Sequence, residues 1–312
     1  LSGQIAALST LALTFIARPL GAILFGHFGD RFGRKNTFVI SLLVMGVSTM
    51  VIGLLPTYDS IGIWATLLLC LCRIGQGIGL GGEWGGAALV AIENAPEGKR
   101  GWYGTFPQLG APLGLLLANG AFLLITDILG SAAMTDWAWR IPFLSSSILV
   151  VIGLYVRLKL AEAPIFVTAL DKPQPKTLPM VEVIITHFKP FFLGMLICIA
   201  GYVLFYIIIA FSQIYAKSAP SQSEAGYAMG LGFSPQIFTA LLMYSAVSLA
   251  ISITISGKCI DKIGRRIWLI WTTVAVAIFG LALPYFLENG TTVSLFWFLI
   301  IGMGLIGMGY GP

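Results

Sequence analysis

Residues 26–35 read Gly26-His27-Phe28-Gly29-Asp30-Arg31-Phe32-Gly33-Arg34-Lys35, and residues 257–266 read Gly257-Lys258-Cys259-Ile260-Asp261-Lys262-Ile263-Gly264-Arg265-Arg266. The two stretches align without a gap, with Gly, Asp, Gly and Arg recurring at matching places. Each is a short basic turn between two long apolar runs. Basic character alone is what any loop on the positive side of a membrane shows. That rule asks for neither the Gly nor the Asp, so the pair reads as an internal duplication of the kind common in transporters.

Working outward, apolar stretches of about 20 residues, the length a helix needs to cross ~30 Å of hydrocarbon, recur along the whole chain. Nine candidates fall near 4–26, 37–55, 62–92, 102–125, 140–160, 190–215, 235–257, 267–287 and 293–312. The composition agrees: of 312 residues 57% are hydrophobic and 10% charged, against about 25% charged in an average soluble domain. A water-soluble protein is excluded, and the chain is expected to be an all-α polytopic membrane protein. In a soluble protein the net charge of +5 would point to nucleic acid, so the location of the cations decides. Of the 18 Lys and Arg, fourteen fall on one alternating set of connecting segments, Arg140 and Lys217 on the other, and Arg18 and Arg73 inside spans. The basic side is therefore expected to be cytoplasmic, in the inner membrane, with the lipid bilayer and not nucleic acid as partner. The four cysteines sit in or beside apolar runs and imply no disulfide framework, metal site or redox compartment. No cofactor is called for, and a monomer is expected.

Residues 161–189 are rich in Pro and Lys, as in Asp171-Lys172-Pro173-Gln174-Pro175-Lys176, and read as a cytoplasmic linker. It divides an N-terminal helical bundle, 1–160, from a C-terminal one, 190–312. The chain opens on Leu1, on the outer side by this topology, and ends within an apolar run. It is expected to be a fragment, with one helix missing before it and two after.

These residues carry a resemblance to the major facilitator superfamily. Gly29-Asp30-Arg31-Phe32-Gly33-Arg34-Lys35 resembles the loop between its second and third helices, and Asp261 to Arg266 a weaker copy between helices eight and nine. Arg73-Ile74-Gly75-Gln76-Gly77 is similar to its fourth-helix signature, and Glu93 with Arg100 to the sugar-porter pair at that helix's cytoplasmic end. Gly81-Gly82-Glu83-Trp84-Gly85-Gly86-Ala87, with Arg18-Pro19-Leu20-Gly21 before it, resembles the metabolite:proton symporter family, which includes shikimate, 2-oxoglutarate, citrate and proline/betaine carriers. The resemblance spans the chain as helices two to ten of a twelve-helix design. It implies two pseudo-symmetric bundles and a cytoplasmic gate closed by charge pairs around Gly29, Asp30, Arg31, Gly33, Arg34, Lys35, Glu93, Arg100, Asp261, Gly264, Arg265 and Arg266. Physically, the Gly permits a tight turn, Asp30 can accept from the start of the following helix, and Arg34 can reach a neighbouring carboxylate.

Charges at membrane depth are costly and mark function by default. Glu83 lies ten residues before Glu93, about 15 Å along a helix, and Arg18 twelve residues before Asp30, about 18 Å. Similar depth near the midplane on neighbouring helices suggests an Arg18–Glu83 ion pair. Arg73, Gln76 and Glu83 fall within an arc of roughly 80° on one helix. Glu83 is the candidate proton carrier, since a carboxylate beside a cation in low dielectric takes or releases a proton as the pair breaks. Gln108 with Asn119, and Tyr202 with Tyr206 and Gln213, form polar faces that could line a substrate path. Ser245, Ser248, Ser252 and Ser256 form another stripe that reads rather as close helix packing.

An intramembrane enzyme is disfavoured, because His27 and His187 lie at span borders and no nucleophile–base or metal-ligand cluster occurs at depth. A channel lacks a filter-like loop, and an ATP-driven pump lacks its phosphate-binding motif. The expected function is a proton-coupled carrier. Arginines at depth favour a small organic acid as substrate, with a proline- or betaine-like zwitterion as the alternative.

Overall fold

The computed structural model describes residues 2–159, 184–218, 221–222, 228–288 and 290–310. The described residues form helices α1 (Ser2–Phe32), α2 (Arg34–Leu54), the single turn α3 (Tyr58–Ile61), α4 (Ile63–Glu93), α5 (Arg100–Gln108), α6 (Gly110–Ala133), α7 (Arg140–Lys159), α8 (Phe188–Tyr206), α9 (Ser212–Lys217), α10 (Pro235–Ile263), α11 (Arg265–Glu288) and α12 (Thr292–Tyr310). A two-residue antiparallel pairing, Ser221 with Met229 and Gln222 with Ala228, is the one departure from an all-helical chain among these residues. Nine helical stretches among them are long and apolar enough to span a bilayer, as the sequence predicts. The largest difference in bounds is the fourth, which runs from Arg100 to Ala138. There the helix continues past the polar Thr126-Asp127, through a break at Gly130 (φ 83°, ψ 159°) and a π-helical turn at Met134–Ala138.

The duplicated turns share one backbone geometry. Gly33, between α1 and α2, has φ 98° and ψ 139°, and Gly264, between α10 and α11, φ 87° and ψ 150°. Only glycine reaches this region without strain. That explains why Gly recurs where a basic loop alone would not require it.

The chain packs as two compact units. Residues 1–94 with 125–187 make the first, and 95–124 with 188–312 the second. The sequence-order bundles, 1–160 and 190–312, differ from these units at 95–124, which packs with the second. Most of the expected linker lies outside the described residues.

In the first unit α4 lies between α1 and α2, and α7 packs on α2. A Cβ on Gly77 would meet the Thr14 carbonyl and one on Gly81 the Arg18 carbonyl. These contacts set the α1–α4 register and turn that face of α4 toward α1. In the second unit α10 packs along α12 and also holds α5. Its core is built from the fully buried Phe238, Phe298, Leu299 and Met303, with the Phe279 and Phe298 rings stacked at 5.7 Å.

The serine stripe is a packing seam, as expected. Ser248 donates to the Ile300 carbonyl and Ser256 to the Met308 carbonyl, both at 2.9 Å. Trp268 Nε1 on α11 donates to Ser256 Oγ at 2.7 Å and to the Met308 carbonyl at 2.9 Å. Lipid supplies no hydrophobic drive between helices, so such bonds, worth on the order of 0.6 kcal/mol each, add to close packing. Outward residues such as Leu281, Ile128 and Trp271 are apolar and exposed, which suits hydrocarbon and not water.

Candidate functional site

The first unit carries two polar clusters. In one, Arg73 Nη1 donates to Gln76 Oε1 at 3.1 Å, Gln76 Nε2 to Thr49 Oγ1 on α2 at 2.8 Å, and Thr49 Oγ1 to the Met45 carbonyl at 2.8 Å. The guanidinium is thus oriented by a neutral relay. Its Nε is buried and has no hydrogen-bond partner among the described residues. Of the three residues read onto one face of this helix, Arg73 and Gln76 are bonded to each other. Glu83 lies seven residues further along, about 10 Å, and joins a different cluster.

In that second cluster Arg157 Nη2 donates to Glu83 Oε1 and Arg157 Nη1 to the Phe38 carbonyl. The side chains are 16% (Arg157) and 23% (Glu83) exposed, and Glu83 Oε2 is buried without a hydrogen-bond partner among the described residues. The Arg18–Glu83 pair does not form. Gly81 points at the Arg18 backbone, and Glu83, two residues on and so about 200° round the helix, faces away from α1. Arg18 instead lies over the Phe15 ring at 4.5 Å, with its Nε buried and likewise unpartnered.

Phe38 is four residues from the start of α2 and Arg157 two from the end of α7, so the partners of Glu83 come from the basic ends of these two helices. By sequence Arg157 counts only as a side-setting cation. Its place two residues inside an apolar run is the available signal. Nothing in the sequence marks Thr49.

In the second unit, Asp261 Oδ1 accepts from the Gly101 amide at 2.7 Å and Oδ2 from the Trp102 amide at 2.9 Å. Helix α5 begins at Arg100 after Lys99, which has no side-chain cap bond. Asp261 therefore satisfies the first-turn donors that an N-cap side chain would, and places its charge at the positive end of the helix. Lys258 Nζ stands 4.8 Å over the Trp102 ring. The acceptor role at a helix start is the one read for the duplicated turn, but the helix served is α5 and not the following α11. Arg100, Arg265 and Arg266 are exposed, Gly29 is buried, and Lys35 and Glu93 are partly buried. The side chains of Asp30, Arg31 and Arg34 lie outside the described residues.

Of the remaining candidates, Asn119 Nδ2 donates to the Leu115 carbonyl of its own helix at 2.8 Å, and Gln108 ends α5. Tyr202 and Tyr206 are partly buried on α8. The shared face with Gln213 is broken by a π-helical turn at Ile207–Phe211. Such a turn takes in one extra residue and rotates the rest of the helix by about 100°.

Comparison with known proteins completes the picture. The family described as Sugar (and other) transporter matches residues 4–177. A Haemophilus influenzae protein named "Putative metabolite transport protein" is 88% identical over all of this chain and 70% of its own length. The Shikimate transporter of Escherichia coli (strain K12) is 32% identical over 99% of this chain and 68% of its own, and the Proline/betaine transporter of the same organism 32% over 97% and 60%. Among solved structures, the major facilitator superfamily proton:xylose symporter XylE bound to 6-bromo-6-deoxy-D-glucose superposes with a TM-score of 0.74 at 18% identity, over 98% of this chain and 71% of that one. A likeness at that identity speaks for the fold. The relatives named are transporters and not enzymes. The chain belongs to the sugar (and other) transporter family, as a multi-pass membrane transporter of metabolites built on the major facilitator fold.

Proposed function

We propose that the protein moves a small organic acid together with a proton by alternating access, across the cytoplasmic membrane and with its basic side in the cytoplasm. The observation that carries the substrate reading is the state of the two arginines inside spans of the first unit. Arg73 is bonded to a neutral amide and Arg18 lies on an aromatic ring; each has a buried, unpartnered Nε. A guanidinium held out of water without a carboxylate partner among the described residues is a receptor for one, and its forked donors match that geometry. Arg73 lies eight residues, about 12 Å, before Gly81, the level of Arg18, so the two would serve successive positions of an acid or its two ends.

Gln76, Gln108, Asn119, Tyr202, Tyr206 and Gln213 are the remaining candidates for the substrate path, and Glu83 for the proton. The Asp261 contact with the start of α5, with the matching turn at Asp30, is the candidate cytoplasmic gate closure. A zwitterion is the second reading, favoured by the 32% identity to the Proline/betaine transporter, since it too presents a carboxylate.

Uptake by the full-length protein in vesicles, with labelled acids and betaines and with or without an imposed pH gradient, tests both readings. Acid accumulation driven by the gradient is expected. Uptake indifferent to the gradient would end the symport reading, and uptake of betaines alone the organic-acid one.

A further inference from the structure

Glu83 uses one oxygen and leaves the other idle. Oε1 accepts from Arg157 Nη2, and Oε2 is buried with no hydrogen-bond partner among the described residues. The same guanidinium reaches the Phe38 carbonyl through Nη1, so one side chain of α7 ties α4 to α2. A buried ion pair is a poor source of stability, because desolvation consumes most of its attraction. An unsatisfied buried oxygen adds to that cost. An arrangement that gains little stability and keeps a lone pair free is suited to taking a proton.

We propose that Glu83 and Arg157 form a proton-operated latch, in which Glu83 Oε2 takes the transported proton and Arg157 is the arm it then releases. The proposal rests on the symport reading above and specifies how that site is regulated. In the step, a proton from water adds to Oε2 and forms an O–H bond, and the carboxylate goes from −1 to neutral. The charge-assisted bond from Arg157 Nη2 loses its electrostatic part, while Nη1 keeps the Phe38 carbonyl. Helix α7 then stays tied to α2, and α4 loses its polar tie to α7 while Gln76 keeps its bond to Thr49 on α2. Return of the proton to water remakes the pair. Phe38 and Arg157 lie within about one helical turn, ~6 Å, of the basic ends of α2 and α7.

Among the described residues, the ion pair that the structure shows at Glu83 is the one with Arg157. On α1, Arg18 lies on Phe15, and His27 packs edge-on against Phe28 with a buried, unpartnered Nδ1. On α7, Arg140 donates to the Leu55 carbonyl at 2.9 Å, and Lys159 lies over Tyr155 at 5.1 Å. Asp59 on α3 is exposed, and Lys35 on α2 is partly buried. The side chains of Asp30, Arg31 and Arg34 are outside the described residues.

The test uses the full-length protein in proteoliposomes. Glu83→Gln is expected to lose gradient-driven accumulation while keeping substrate-for-substrate exchange, which needs no net proton movement. Arg157→Gln removes the arm on which the latch closes, so the pH profile of uptake is expected to differ from that of the wild type. Arg157→Lys, which keeps the charge, should restore the profile. A pair that only holds helices together would leave that profile unmoved. Should the Gln variants fail to fold, dicyclohexylcarbodiimide, which adds to protonated carboxyls in apolar surroundings, reads the same site in the wild-type protein. Its labelling of Glu83, followed by peptide mass spectrometry, should be greater in acid than in alkaline buffer. Accumulation by Glu83→Gln, an unmoved profile in Arg157→Gln, or pH-independent labelling each overturns the latch. Wild-type uptake that ignores the gradient would instead bring down the symport reading on which it stands.

Discussion

The Asp261 carboxylate receives the Gly101 amide at 2.7 Å, a hydrogen bond between residues 160 positions apart. With the Trp102 amide on its second oxygen at 2.9 Å, it does for α5 what a local N-cap would do, from the end of another helix. The contact joins the later copy of the duplicated turn to the start of the fourth span.

At this cap, charge and acceptor count are separable. Asp261→Asn keeps one acceptor and loses the interaction with the helix dipole, so a loss of about 0.5–1 kcal/mol is expected. Asp261→Ala loses both acceptors, at about 1–2 kcal/mol. Amide exchange at Gly101 and Trp102 in the full-length protein is the measurement. Exchange in Asp261→Ala as slow as in wild type would remove the capping role.

Gly264 and Gly33 sit at positive φ with extended ψ, where any side chain is strained by about 1–3 kcal/mol. Gly264→Ala and Gly33→Ala are both expected to lower the melting temperature of the purified protein. Gly110→Ala, at a site where an added Cβ meets nothing within 4 Å, is the control and should be neutral or slightly stabilising. Equal melting of all three would show that the turn does not need glycine.

Arg73 is expected to act on the substrate through a planar fork. Arg73→Lys keeps the charge and loses the fork, so the KM for a labelled acid should rise about tenfold or more, with a smaller change for a substrate lacking a carboxylate. Thr49→Val removes the hydroxyl that holds Gln76 and should give a weaker effect of the same kind. Unchanged KM in Arg73→Lys would take Arg73 off the substrate path.

The seam between α10, α11 and α12 predicts a graded response. Trp268→Phe deletes the donor shared by Ser256 and the Met308 carbonyl, and should cost on the order of 1 kcal/mol in unfolding of the purified protein. Ser256→Ala leaves Trp268 bonded to Met308 and should cost less. The reverse order would mean that the hydroxyl, and not the indole, organises the seam.

The nine spans are legible because a helix crossing hydrocarbon must be apolar over about 20 residues, a property of local composition. The duplication is legible for a similar reason: Gly33 and Gly264 need a backbone that only glycine adopts, so the constraint is written at one position. The serine stripe is legible because small residues at helical spacing have one common use in lipid. The pairing of Arg73 with Gln76 lies within one helical turn.

Other assignments are out of reach of the sequence. An ideal helix count puts Tyr206 and Gln213 on one face, but the π-turn between them breaks it, and no residue in Ile207–Phe211 announces such a turn. Arg157 looks like any cation at a span border, since a snorkelling arginine and a paired one have the same sequence.

The chain by itself determines everything that depends on neighbours in sequence: span count, the distribution of charge between the two sides, the glycine turns, and which residues share a helix face. Only the tertiary structure decides which faces meet. The rotation and register of one helix against another come from contacts such as Gly81 on the Arg18 backbone, summed over many residues far apart in sequence. Those contacts turn Glu83 away from Arg18 and toward Arg157, and bring Asp261 to the start of α5.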